Sequence, residues 1–215
     1  MKKSLQIILA VVIWLAILPG HSQGQLLDKL AIRSGTNVSF LTNSPGENAM
    51  VKYNVGMYYR KNITSNITLI PELSLLARGV DFGTLFVQPT FAGLLTADAS
   101  IDILSIDTPV LVRYTFGRPD RGWMLSSGPN VSFVINSDMN VKISDQNQNI
   151  TQTDDISDIT NTTTFGWVWD AGYKIRAFGG GFIIGARFKK DFSAQFDDSD
   201  GAKNNVFSAL LSFEF

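Results

Sequence analysis

The sequence predicts an all-β fold, an eight-stranded antiparallel transmembrane up-and-down β-barrel. Three observations carry that reading. Eight segments alternate apolar and polar residues over the length of a strand. No apolar run past residue 30 is long enough for a membrane helix, so only a closed barrel would satisfy every backbone group in lipid. The spacers between the segments alternate in length, as they do in barrels with tight turns on one side and long loops on the other.

The chain begins Met1-Lys2-Lys3-Ser4, continues through an apolar run from Leu5 to Leu18, and reaches Pro19-Gly20-His21-Ser22-Gln23-Gly24. A basic start, an apolar centre and a small-residue end are the pattern of a cleaved secretory signal peptide. The apolar run is shorter than the roughly 20 residues a spanning helix needs. Residues 1–24 are therefore predicted as signal peptide and 25–215 as one outer-membrane barrel domain, with cleavage after Ser22 or Gly24. Either cut removes His21, the one histidine.

The eight segments are roughly 31–41, 51–60, 66–78, 101–116, 122–136, 163–175, 180–190 and 205–215. Each meets the span of about 9 to 11 residues that a tilted strand requires. In the last, Phe207, Ala209, Leu211, Phe213 and Phe215 share one face, and Val206, Ser208, Leu210, Ser212 and Glu214 the other. In 163–175, Phe165, Trp167, Trp169, Ala171 and Tyr173 oppose Thr164, Gly166, Asp170, Gly172 and Lys174. An Arg facing lipid at the bilayer midplane costs about 2 to 4 kcal/mol, so mid-segment charges belong inside. That rule turns Glu72, Asp107, Arg113, Asp170, Lys174 and Arg187 into the lumen, and leaves apolar residues such as Leu73, Leu75, Val110, Val112 and Tyr114 outside.

The tight connections are 61–65, 117–121 and 176–179, with turn chemistry in Gly117-Arg118-Pro119-Asp120-Arg121-Gly122 and Gly179-Gly180-Gly181. The long ones are 43–50, 79–100, 137–162 and 191–204. The pattern places both chain ends in the periplasm.

Three strand motifs carry a family resemblance: Ile70-Pro71-Glu72-Leu73-Ser74-Leu75, then Ile106-Asp107-Thr108-Pro109-Val110-Leu111-Val112-Arg113-Tyr114, then Gly128-Pro129-Asn130-Val131-Ser132. With them the mature chain resembles the PorT-like outer-membrane β-barrel family, small Gram-negative barrels of about eight strands. The resemblance implies outer-membrane location and this fold. The family's named member is associated with a secretion and gliding apparatus.

Composition excludes several chemistries. Without Lys2 and Lys3 the chain carries 16 basic against 19 acidic residues, a net charge of −3, which disfavours nucleic acid as a partner. It has no cysteine, hence no lipid-acceptor residue, disulfide or thiolate. A mature chain without histidine lacks the usual general base, so neither catalytic residues nor cofactors are expected. Asp154-Asp155 and Asp197-Asp198 lie in polar stretches that do not tune a carboxylate. Phe196-Asp197-Asp198-Ser199-Asp200-Gly201 has a calcium-loop flavour, but Phe stands at the first ligand position, and no metal is expected. Six Asn-x-Ser/Thr triplets read as polar lumen or loop residues.

Two candidate sites remain. The first is the lumen charge cluster Glu72, Asp107, Arg113, Asp170, Lys174 and Arg187, read either as a salt-bridged filling or as a polar pathway. Eight strands leave an interior only just wide enough for side chains. The second is the apolar loop with Phe82, Leu85, Phe86, Phe91, Leu94 and Leu95, read either as a lid or short helix over the mouth or as a docking surface for a partner protein or apolar ligand. The strands flanking 137–162 are expected to project and to offer a sheet edge. The function predicted is a non-enzymatic structural or interaction role through extracellular loops, in contact with outer-membrane lipid and linked to secretion or surface assembly. The alternative is a narrow channel or transporter for small or apolar solutes.

Overall fold

The structure is a computed structural model, and it describes residues 29–42, 48–90, 93–118, 121–145, 148–177, 179–196 and 203–215. The predicted signal peptide lies outside the described residues. Eleven strands form one antiparallel sheet: β1 Leu30–Leu41, β2 Asn48–Tyr59, β3 Lys61–Asn62, β4 Ile67–Thr90, β5 Gly93–Asp107, β6 Val110–Arg118, β7 Arg121–Asp145, β8 Gln148–Asp155, β9 Thr163–Ala177, β10 Gly180–Asp191 and β11 Asn204–Glu214.

The ladders close on themselves. From β2 the order runs through β1, β11, β10, β9 and β7 to β5 and β4, and β4 pairs back onto β2. β5 and β6 are one wall strand interrupted at Pro109, whose ring nitrogen has no hydrogen to donate. The wall holds there because Thr108 N donates to Val131 O at 2.9 Å and Glu72 N donates to Pro109 O at 2.9 Å. Gly128 faces the interruption from β7, where a Cβ would collide with the Val110 carbonyl. Counted this way, the wall has eight strands, with β3 and β8 as additions at its two ends.

The expected segments all recur as strands, but two long loops do not exist as such. The stretch predicted as a lid or short helix is a continuation of β4 and β5, paired from Ser74↔Asp107 to Thr90↔Gly93. Likewise β7 runs on to Asp145 and pairs with β8 rather than with the next wall strand. Period-two alternation weakens in both stretches because their side chains do not separate lipid from lumen.

Polarity is inverted in the wall. Ile184 is 62% exposed and Phe207 51%, while Glu72 is 1% and Arg78 0% exposed. Outward aromatics gather in two belts: Tyr114, Phe116, Trp123, Tyr173, Phe182, Phe213 and Phe215 near the turns, and Phe40, Trp167, Trp169, Phe188 and Phe207 toward the hairpins. Two girdles around an apolar band are the dress of a lipid-embedded barrel.

Above the second belt the polarity reverts. Ile101, Ile103 and Val134 are buried inside, with Phe82, Met139, Ile156 and Phe196 packed on them. The opposite face of the same strands is polar: Asn140 donates to Asp102 at 3.3 Å and accepts from Thr153 at 2.7 Å. Here β2 leaves the β4 ladder, which is interrupted between Ala49 and Asn54. β1 closes the gap with side chains, Asn37 Nδ2 donating to Ala77 O at 2.7 Å and Ser39 Oγ to Gly79 O at 2.6 Å.

Candidate functional site

Strand parity sends alternate residues into a narrow interior, where charge is tolerated only when opposite charge meets it. The lumen accordingly holds three stacked groups of ion pairs.

The central group joins four strands. Glu72 on β4 accepts from Arg33 on β1 at 2.7 Å and from both terminal nitrogens of Arg187 on β10 at 2.7 and 2.8 Å. Asp170 on β9 accepts from Arg187 at 2.7 and 2.9 Å and from Arg33 at 3.2 Å. Ser212 takes the remaining Nε–H of Arg33 at 3.0 Å. Two carboxylates and two guanidiniums thus neutralise one another: Arg187 meets each carboxylate through a planar fork, the geometry in which arginine binds carboxylate best, and Arg33 bridges both with one terminal nitrogen.

Toward the turns, Glu214 on β11 is the shared acceptor for three cations: Arg113 at 2.7 Å, Arg60 at 3.0 Å and Lys174 at 2.6 Å. The Tyr58 hydroxyl donates to the same carboxylate at 3.0 Å. Its ring lies between the two groups, 4.8 Å from the Arg33 guanidinium and 5.4 Å from that of Arg113, and joins them through cation–π contact.

Toward the hairpins, Lys189 on β10 reaches Asp107 at 2.7 Å and Asp191 at 3.5 Å. Arg78 donates to Asp191 at 2.8 Å. Ser132 and Ser105 complete the Lys189 and Asp107 contacts at 2.7 and 3.1 Å.

The structure therefore turns all six predicted lumen residues inward but distributes them over three groups. Glu72, Asp170 and Arg187 meet; Arg113 and Lys174 meet on Glu214; Asp107 stands apart from both. Arg113 does not bond Glu72 or Asp107, its neighbours in the wall, because its partner lies across the barrel. Lys189, Asp191 and Tyr58 were not foreseen. The first two follow from Arg187 by counting residues in twos along β10.

Two cavities of about 20 Å³ lie among these groups, one bordered by Arg33, Arg113 and Asp170, the other by Asp107, Arg187 and Lys189. Each has room for about one water molecule. The turn-side mouth opens instead into a basin of about 310 Å³ above Glu214.

Of the apolar candidates at the hairpin end, Phe82 packs on the Ile101, Ile103 and Val134 cluster. Phe91 and the side chains of Leu85, Phe86, Leu94 and Leu95 lie outside the described residues. Asp154 accepts from Gln152 at 3.2 Å and Asp155 from Ser157 N at 2.8 Å, both on the exposed β8 hairpin. Asp197 to Gly201 lie outside the described residues. Among the described residues no group of three or more metal-ligating side chains converges.

Among solved structures, the chain is similar to three outer-membrane barrels. Ail, the attachment invasion locus protein of Yersinia pestis, is 12% identical, with 87% of this chain and 98% of that chain covered and a TM-score of 0.41. Neisserial surface protein A is 10% identical, covering 86% and 97%, with a TM-score of 0.46. OprG from Pseudomonas aeruginosa is 11% identical, covering 88% and 97%, with a TM-score of 0.44. No curated protein matches the sequence. The sequence itself matches, over residues 27–198, the family model described as outer membrane protein beta-barrel domain. With that match spanning most of the chain, on a closed eight-stranded wall with a lipid-dressed exterior, the chain belongs to the outer membrane protein beta-barrel domain family.

Proposed function

We propose that this barrel is a non-enzymatic, non-conducting platform that presents the sheet built from the ends of β4, β5, β7 and β8 to a protein partner outside the cell. The observation that carries the reading is the free edge of β8. Its residues pair with β7 from Asp138↔Asp155 to Asp145↔Gln148, and among the described residues no strand pairs with its other side. Ile150 and its neighbours to Asp155 are exposed. An unpaired strand presents a row of N–H and C=O groups that an extended segment of another chain completes. Residues 1–24 act in this reading as the export signal, and the turn end faces the periplasm. The PorT-like resemblance supports a partner in secretion or surface assembly.

The test is site-specific cross-linking in the native membrane, which the absence of cysteine makes clean. Thr151→Cys is expected to give a discrete adduct with a second polypeptide, and Thr64→Cys in the opposite turn is expected to give none. Replacing residues 141–152 by Asn-Gly keeps the Asn140↔Thr153 pair and abolishes the partner contact. An intact adduct pattern after that replacement, read from a second cysteine at Thr153, overturns the proposal.

The second reading is a narrow channel. It is favoured by the lumen's excess of positive charge, seven cations in the three groups (Arg33, Arg60, Arg78, Arg113, Lys174, Arg187, Lys189) against five carboxylates. Anion-selective current steps from the refolded barrel in a planar bilayer would establish it.

A further inference from the structure

We propose that the basin at the turn-side mouth is a binding site for a phosphate group. Its walls carry Arg60, Arg113, Lys174 and Arg176 against one carboxylate side chain, Glu214, and the main-chain oxygen of Phe215, which takes a hydrogen bond from Arg60 at 2.8 Å. Three of those cations converge on Glu214, so one carboxylate side chain faces three cationic ones. Arg176 adds a fourth; it lines the basin, is exposed, and has no side-chain partner among the described residues. Asn62, Ser65 and Thr68 supply neutral hydrogen-bonding groups on the opposite rim.

The surplus is a property of this end of the molecule. Lys29, Lys61, Arg118 and Arg121 also stand at the turn end, whereas Asp81, Asp98, Asp102, Asp138, Asp154, Asp155 and Asp158 lie at the hairpin end. A concave cleft with a surplus of one sign concentrates the opposite sign within it. The volume of about 310 Å³ is that of about ten waters at roughly 30 Å³ each, ample for a tetrahedral oxyanion and its hydration. Guanidinium forks match phosphate oxygens, and the Lys ammonium adds a point charge.

The cradle is built into the backbone. Lys174 lies flat across Gly181, where a Cβ would stand 2.5 Å from its Cε. That glycine lets the ammonium reach Glu214 at 2.6 Å while still facing the basin. The phosphate has two sources, a soluble phosphate or phosphate ester and the headgroup of a lipid in the adjoining leaflet, and the recognition chemistry is shared.

The experiment uses the mature barrel refolded in uncharged detergent micelles, with phosphorus NMR titration of inorganic phosphate and, separately, of short-chain phosphatidic acid. Saturable broadening with either probe is expected, weakened at least tenfold by Arg176→Gln and unchanged by Arg118→Gln outside the basin. Because Arg176 makes no ion pair among the described residues, its variant should keep the folded mobility of the unboiled barrel, and Lys174→Gln serves as the second variant. Binding of both probes assigns a soluble source as sufficient; binding of phosphatidic acid alone assigns the lipid. No saturable binding of either probe, or binding that survives both basin variants, overturns the proposal.

Discussion

Arg187 grips Glu72 with both terminal nitrogens, at 2.7 and 2.8 Å, from the strand diametrically opposite in the eight-stranded wall. The same relation holds for Arg113 with Glu214 and for Arg78 with Asp191. The barrel is cross-braced through its own axis, and each brace is a charged pair screened from water.

Removing one member of such a group leaves the others short of opposite charge. Glu72→Gln leaves Arg33 and Arg187 sharing the one carboxylate of Asp170, and a loss of about 3 to 5 kcal/mol in unfolding free energy is expected. Urea titration followed by the mobility shift of the unboiled barrel measures it. A loss below about 1 kcal/mol would mean that water already shares the lumen with these groups.

The same braces close the bore. The intact barrel is expected to be silent in a planar bilayer, and the double variant Glu72→Ser, Arg187→Ser to show current steps, since it removes two of the four charged side chains that fill the centre of the lumen. Steps from the intact protein would favour the channel reading instead.

Lipid contact is testable by stability alone. Leu211 lies on the outer face between Phe207 and Phe213, inside the two aromatic belts. Leu211→Arg is expected to cost about 2 to 4 kcal/mol, and Ile150→Arg on the projecting hairpin close to nothing. Equal effects at both positions would contradict the membrane boundary drawn by the reversal of polarity near Ile103.

Gly128→Ala probes the interruption at Pro109. The added methyl meets the Val110 backbone carbonyl, which has no flexible end to move, and a loss of about 1 to 3 kcal/mol is expected from thermal unfolding in detergent. Full stability would show that the wall relaxes there.

The wall was legible in the sequence because lipid on one side and charge on the other impose strict alternation, as in Phe207 to Phe215 against Val206 to Glu214. Above Ile103 both sides of β4, β5 and β7 meet water or a small apolar core, alternation loses its cause, and the strands read as loops. Lumen placement was also legible, since Glu72 and Arg187 had nowhere else to point. Pairing was not: whether Arg113 finds Glu72 or Glu214 depends on how the strands stagger around the ring, and stagger is set by closure rather than by any local stretch of residues. Lys189 and Asp191 were within reach of the same parity that placed Arg187.

Closure has a kinetic side. β1 pairs with β11 from Ala31↔Glu214 to Leu41↔Asn204, so the first wall strand waits for the last. Contacts so distant along the chain form slowly, after the entropy of a very long loop has been lost. Until that seam zips, Glu214 has no sealed interior to occupy, and its three cations remain hydrated. Desolvation of the lumen and completion of the ring are then one late event, and the reverse event must wet every brace at once. Such a barrel resists opening through the height of its unfolding barrier as much as through the depth of its native well.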